Sequence, residues 1–223
     1  MQQLVLDRPA AYVGRLRHAR PWAALALVSA VVFARLCDDV GERNGVTRLD
    51  PAVAQWFAAH RTPLLDSLGL KLAVASMPAV LLVVVVIASA VLWFLRARLA
   101  ASLLLGATLL AVVAGLIAKY AEHRARPVAP YNLAWESEPS FPSGHLLVAA
   151  TAASVAVLLA WRHLSVALRV VAVAAATAFT LIVAADRLVV GAHWLTDLVG
   201  SLALAAVIVG VVAVAERVLR PAS

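Results

Sequence analysis

The chain has 223 residues, 64% hydrophobic and only 14% charged, with a formal net charge of +7. A soluble domain is about 45–50% apolar and about 25% charged, and a fold of this size cannot withdraw so much apolar surface from water. The composition excludes a soluble enzyme, a disordered chain and a nucleic-acid-binding module, and the single cysteine, Cys37, excludes an intrachain disulfide framework and a cysteine-rich zinc site.

A basic segment, 1–20, comes first, and six apolar runs follow at roughly 21–37, 72–95, 99–118, 145–161, 164–185 and 198–215. A membrane-spanning helix needs about 20 mostly apolar residues, and these runs lack the alternation of barrel strands. The expected fold is therefore all-α, an integral membrane bundle of six helices over 21–216 with a short tail, 217–223. The first run follows arginines as a signal peptide does. Ala34-Arg35-Leu36-Cys37 is a poor processing site, however, so the run reads as an uncleaved anchor. Next, Asp50-Pro51 is a helix start, with Asp as N-cap and Pro at the first helical position. Val53, Trp56 and Phe57 would share one face of that helix, which describes a short element lying in the interface between spans one and two. It either connects those spans or guides a lipid toward a site. Ser102 and Gly106, four apart in the third run, would let a neighbouring helix approach closely.

Charge orients the bundle. With the N-terminus in the cytoplasm, the inner segments hold Arg8, Arg15, Arg17, Arg20, Arg96, Arg98, Arg162, Arg169, Arg217 and Arg220 against Asp7 and Glu216, a charge of +8 inside and −1 outside. This is a strong positive-inside asymmetry. Trp22, Trp93 and Trp161 then fall near the inner interface, and Trp56, Trp135 and Trp194 on the outer side. Both termini are expected in the cytoplasm, and the regions after runs three and five face outward.

Three clusters carry the chemistry. The third run ends in Lys119-Tyr-Ala-Glu-His-Arg-Ala-Arg126-Pro127. Lys119 and Arg126 are close to two helical turns apart, so they share a face if the helix persists, and two cations aimed one way bind phosphate. Pro142-Ser143-Gly144-His145 precedes the fourth run; free amides at a helix start favour an anion, and His145 adds a titratable proton. Arg187-Leu-Val-Val-Gly-Ala-His193-Trp-Leu-Thr-Asp197 opens the sixth run. His193 and Asp197 face the same way on a helix, and a carboxylate beside an imidazole fixes its tautomer. Ordinary basic helix ends and caps would account for each cluster alone, apart from His145, but not for all three on one membrane face. Glu122, His123 and Arg124 match no required position, Glu136 and Glu138 read as solvated, and His18, His60 and His163 have no evident partner.

In order and spacing, KYAEHRARP (119–127), PSGH (142–145) and RLVVGAHWLTD (187–197) resemble the three motifs of the type 2 phosphatidic acid phosphatase superfamily. The resemblance implies a phosphohistidine mechanism with no metal and no cofactor. His193 would be the nucleophile, Asp197 its orienting partner and His145 the general acid. Lys119, Arg126, Arg187, Ser143 and Gly144 would hold the phosphoryl oxygens. Two positions depart from the family pattern: Asp186 stands where serine usually precedes the arginine, and Leu146 where a small or hydroxyl residue usually follows the histidine. Asp186 either pins Arg187 or repels phosphate.

The expected function is a plasma-membrane lipid-phosphate phosphatase with an extracytoplasmic site. Its expected partners are membrane lipids and a lipid phosphate substrate, first a polyprenyl (undecaprenyl-type) diphosphate and not nucleic acid. The alternatives are a phosphatidic acid or phosphatidylglycerol phosphate phosphatase, a phosphorylated polyprenyl-sugar phosphatase, and a non-catalytic transport or binding protein. A vanadate-dependent haloperoxidase has a similar site, but those enzymes are mostly soluble.

Overall fold

The computed structural model describes residues 3–134 and 136–219, with side chains from Arg17 onward. The expectations for Trp135, for the side chains of Asp7, Arg8 and Arg15, and for Arg220 in the tail lie outside those residues. Among the described residues every regular element is helical. In order they are α1 (Gln3–Glu42), α2 (Asp50–Ala59), α3 (Pro63–Ala75), α4 (Pro78–Phe94), α5 (Arg98–Glu122), α6 (Gly144–Ala160), α7 (Val166–Val189) and α8 (Leu195–Leu219). Short 3-10 turns at Gly45–Leu49 and Trp161–His163 join them.

The helix starts follow local chemistry. Thr62 caps α3 by accepting from the Leu65 amide, with Pro63 in the first turn, and Ser165 caps α7 by accepting from the Leu168 amide. Asp50 does not cap α2 as expected. Leu49 takes the cap position, and the Asp50 carboxylate instead accepts from the Thr196 amide at 3.0 Å.

Among the described residues four helices, α5 to α8, are long and apolar enough to cross a membrane, and α3 with α4 make a fifth span if that bent pair counts as one. The expected continuous run 72–95 is broken there: α3 and α4 meet at 47°. Pro78 lacks the amide that would continue the helix, and the Ser76 amide and hydroxyl both turn back to the Leu72 carbonyl. The first expected run lies inside α1, where the uncharged stretch between Arg20 and Arg35 is shorter than a bilayer core. α1 packs along α8.

The core sits between α4, α5, α6 and α8, around Val85, Leu104, Ala111, Leu147, Val155 and Ile208. Small residues set the close approaches. A Cβ on Gly115 would lie 2.9 Å from the Leu147 side chain, and one on Gly210 would lie 2.7 Å from the Trp22 carbonyl. At Gly106 a Cβ would meet nothing, and Ser102 and Gly106 are both exposed, so the expected close packing there does not occur. α7 presents Val166, Val170, Val171, Leu181 and Ile182 outward, a surface suited to lipid tails.

The two ends of the bundle differ. At one end an arginine guanidinium lies over each of three tryptophans: Arg217 over Trp22, Arg98 over Trp93 and Arg169 over Trp161, all within 5.4 Å of the ring centre. Near that end a cavity of about 760 Å³ opens between α1, α6, α7 and α8, lined by residues such as Trp22, Leu158, Val173 and Val209. A buried layer of Leu146, Ala149, Val183 and Leu198 separates it from the other end. The three motifs meet there.

Candidate active site

Four helix ends converge on this site. α5 stops at Glu122 because His123 adopts a left-handed conformation, with φ 45°. The helix therefore does not persist to Arg126, and Lys119 and Arg126 do not share a helix face as expected. They still meet: the loop turns Arg126 back so that its Nη1 lies 3.1 Å from His193 Nε2. Lys119 donates to the Pro139 carbonyl and lies 3.8 Å from the Glu138 carboxylate. Ser143 takes the cap position of α6. Its hydroxyl is buried and has no hydrogen-bond partner among the described residues, which leaves it free for an anion. Gly144 opens α6, and the Lys119 side chain passes 3.9 Å from where its Cβ would be.

Between α7 and α8 the chain turns sharply at Gly191, where φ is 65°. A Cβ there would sit 1.8 Å from the Tyr131 carbonyl oxygen, so only glycine fits. Arg61 holds the facing loop by donating to the Tyr131 and Pro130 carbonyls at 2.8 and 2.7 Å. This turn aims His193 inward, where it is 1% exposed.

His193 has a definite tautomer. Arg126 can only donate, so its contact at 3.1 Å requires a lone pair on Nε2. The ring proton is then on Nδ1, which donates to Asp197 Oδ2 at 3.3 Å. The same Oδ2 accepts from the Trp194 amide at 2.9 Å, and Oδ1 accepts from Arg124. Burial, foremost, holds the His193 pKa below its ordinary 6.5, with Arg126 acting in the same direction and Asp197 opposing. The neutral imidazole presents an unprotonated Nε2 toward the cations.

Asp186 pins Arg187. Arg187 Nε donates to Asp186 Oδ2 at 3.0 Å, and Nη2 donates to the same oxygen. Both side chains are buried, so the guanidinium is fixed with Nη1 facing the site. Of the two readings of that departure from the family pattern, pinning is the one the contacts show. Leu146 is wholly buried in the layer beneath the site; a hydroxyl there would face apolar neighbours.

One carboxylate was not expected in the site. Glu136 is not solvated: it pairs with Arg126 at 2.7 Å and Arg187 at 3.3 Å, and lies 3.9 Å from His193 Nε2. Burial alone would raise its pKa, but His193, Arg126, His145 and Arg187 together hold it below the ordinary value. One ligand atom each from Glu136, His145 and His193 lie within 4.8 Å of one another, close enough in principle to hold a metal ion. Two arginines on the same carboxylate work against a cation there. The Glu136 carboxylate instead stands where an anion would be gripped, by the groups that would grip it.

Arg124, which matches no required motif position, donates to Asp50, Thr196 and Asp197. No local spacing reveals this, since Asp50 and Arg124 are 74 positions apart. The site thus brings together all eight expected residues: Lys119, Arg126, Ser143, Gly144, His145, Arg187, His193 and Asp197.

Comparison with known proteins gives one family match and two structural neighbours with a similar fold. The family model described as PAP2 superfamily matches residues 95–220. Among solved structures, a transmembrane PAP2-type phosphatidylglycerolphosphate phosphatase from Bacillus subtilis superposes with a TM-score of 0.76 at 24% identity, over 84% of this chain and 93% of its own. LpxE of Aquifex aeolicus superposes at 0.56 with 23% identity, over 74% of this chain and 94% of its own. No curated protein gives a significant match.

Proposed function

The chain belongs to the PAP2 superfamily, and from that premise we propose that it is a membrane phosphatase that hydrolyses lipid phosphates through a phosphohistidine. The observation that carries this reading is His193 Nε2, unprotonated and 3.1 Å from the Arg126 guanidinium, with His145 beside it. Nε2 attacks phosphorus, and the bond from phosphorus to the lipid oxygen breaks. His145 gives that oxygen a proton. Arg126, Arg187, Lys119, the Ser143 hydroxyl and the first amides of α6 take the charge that collects on the other phosphoryl oxygens. Water then attacks the phosphohistidine, returns a proton to His145, and frees inorganic phosphate.

No metal enters these steps. A divalent ion on His145, His193 and Glu136 would have to displace Glu136 from Arg126 and Arg187 and would sit against both cations.

The first substrate is a polyprenyl diphosphate of the undecaprenyl type. With α1 crossing beside the bent α3–α4 pair and α5 to α8, the charge asymmetry favours cytoplasmic termini and an extracytoplasmic site, with α2 in the interface. A carrier lipid discharged on that face would be recycled there. Phosphatidylglycerol phosphate is the second reading, favoured by the likeness to the Bacillus subtilis structure. Phosphate release from a panel of both lipids and phosphatidic acid, by purified protein in detergent with and without EDTA, tests substrate and metal together. Activity lost to EDTA and restored by magnesium would overturn the metal-free steps. A panel with no turnover at all would favour a binding protein.

A further inference from the structure

We infer that Arg124 and Asp50 are positioning residues for the reaction, holding the Asp197 carboxylate against His193 and tying the nucleophile to α2. The inference rests on His193 as nucleophile. Arg124 divides its guanidinium between two carboxylates. Nη2 pairs with Asp50 Oδ2 at 2.5 Å, and Nη1 donates to Asp197 Oδ1 and to the Thr196 hydroxyl at 2.7 Å. Asp50 closes the ring by accepting from the Thr196 amide at 3.0 Å and from its hydroxyl at 2.6 Å. The Asp50 and Asp197 side chains are 3% and 0% exposed and that of Arg124 only 13%, so water does not substitute for these bonds.

The geometry gives this ring a task. Asp197 has two oxygens, and only Oδ2 faces His193 Nδ1. With Oδ1 held by Arg124 and Oδ2 by the Trp194 amide, the carboxylate cannot rotate. The Nδ1 proton is thereby held, and with it the direction of the Nε2 lone pair. Asp50 matters in a second way. A guanidinium paired with Asp197 alone would draw charge from the carboxylate that must stabilise the imidazolium form. Sharing that guanidinium with Asp50 leaves Asp197 more of its charge. Arg124 directs its hydrogen bonds to this ring, and its guanidinium also lies 5.8 Å from the centre of the Trp194 ring. None of these bonds involves Lys119, Arg126, Arg187 or Glu136.

The segment between α1 and α3 thereby gains a role. α2 begins with Asp50, the residue that joins the ring, so displacement of α2 would move Arg124 and loosen Asp197.

The test uses the purified full chain in detergent. Arg124→Lys keeps the charge, but its single ammonium group does not reproduce the fork that spans two carboxylates. Asp50→Asn keeps the shape and loses the charge. For both, kcat is expected to fall by about a hundredfold, the cost of a 1 Å misplacement, with KM within about threefold. Acid-labile phosphoenzyme, trapped by rapid quench, is expected to form more slowly by the same factor. Unchanged kcat in Arg124→Lys overturns the inference, as does a raised KM at unchanged kcat, which would place Arg124 on the substrate. Unchanged kcat in Asp50→Asn overturns the link to α2. If neither variant purifies as a monodisperse protein with a cooperative melt, the ring is structural and the inference falls. His193→Ala, measured alongside, separates the two ideas. If it stays active, the phosphohistidine reading fails. If it is inactive while Arg124→Lys runs at full rate, only the positioning role fails.

Discussion

As the proposed nucleophile, His193 must be neutral to attack and must take the phosphoryl group without losing its orientation. Burial serves the first need, and the Asp197 carboxylate serves the second. His193→Ala is expected to reduce phosphate release by about a thousandfold or more while the melting temperature stays close to that of the parent; near-normal release would rule out the nucleophile assignment. His145→Ala should slow poor leaving groups far more than good ones, a pattern that a series of aryl phosphates measures directly. The pH profile follows from the sign of the His193 shift. Its pKa in the folded protein lies below 6.5, so the active neutral form persists below that pH and is lost only on further acidification. The acid limb of kcat/KM should therefore have its midpoint below 6.5, in two substrates whose phosphates titrate differently. A shared midpoint at or above 6.5 would contradict the burial argument. The residues of this chemistry were legible because the motifs place them at short fixed spacings. Glu136, Arg124 and Asp50 were not, because each is defined by a partner far away in sequence, and charged residues in a loop look solvated until a fold surrounds them.

α5 to α8 could be read from composition alone, because long uncharged runs leave a chain in a membrane few choices other than helix. Breaks within such runs are harder to see. The Ser76–Met77 bend lies in a stretch as apolar as any in the chain, and Pro78 is its only local mark. The end of α5 was obscured for a related reason: nothing in Glu122-His123-Arg124 excludes helix, and the left-handed turn at His123 becomes evident only in three dimensions. The turn between α7 and α8 is the most demanding local element. Gly191→Ala combines a left-handed backbone, costing about 1–3 kcal/mol, with a clash against the Tyr131 carbonyl that no rotamer relieves. The variant is expected to lose most activity and to melt lower, as detergent-based thermal unfolding would record. Parental melting and turnover in that variant would mean that the loop carrying Tyr131 yields freely.

Across the whole molecule, the chemistry gathers at one end and three of the arginine–tryptophan pairs, at Trp22, Trp93 and Trp161, at the other. Tryptophan at a headgroup boundary with arginine on its face is a natural anchor for a membrane interface, and the proposed topology makes it the cytoplasmic one. In a Cys37→Ser background, Ser137→Cys is expected to react with a membrane-impermeant maleimide in intact cells, and Arg98→Cys is not. The opposite pattern would invert the topology, and the carrier-recycling role would fall with it. The charge pattern could suggest this sidedness from sequence because it is a sum over loops and needs no contact. The cavity near the arginine end could not be foreseen, since it depends on how α1 and α8 stand against α6 and α7.

The position of Glu136 has a thermodynamic consequence. A carboxylate joined to the chain near its binding groups behaves as a ligand at high effective concentration, about millimolar for a short flexible tether. Substrate and inhibitor alike must compete with it, and the apparent affinity of each is scaled down by the fraction of molecules in which Arg126 and Arg187 are free. Glu136→Gln weakens the tethered competitor without touching the groups it occupies. Vanadate, a mimic of five-coordinate phosphorus, should then inhibit at lower concentration, and the KM for the lipid should fall by a similar factor. With Glu136 in place both arginines are already paired, so in the proposed reaction turnover would begin with an exchange of anions: phosphate in, carboxylate out.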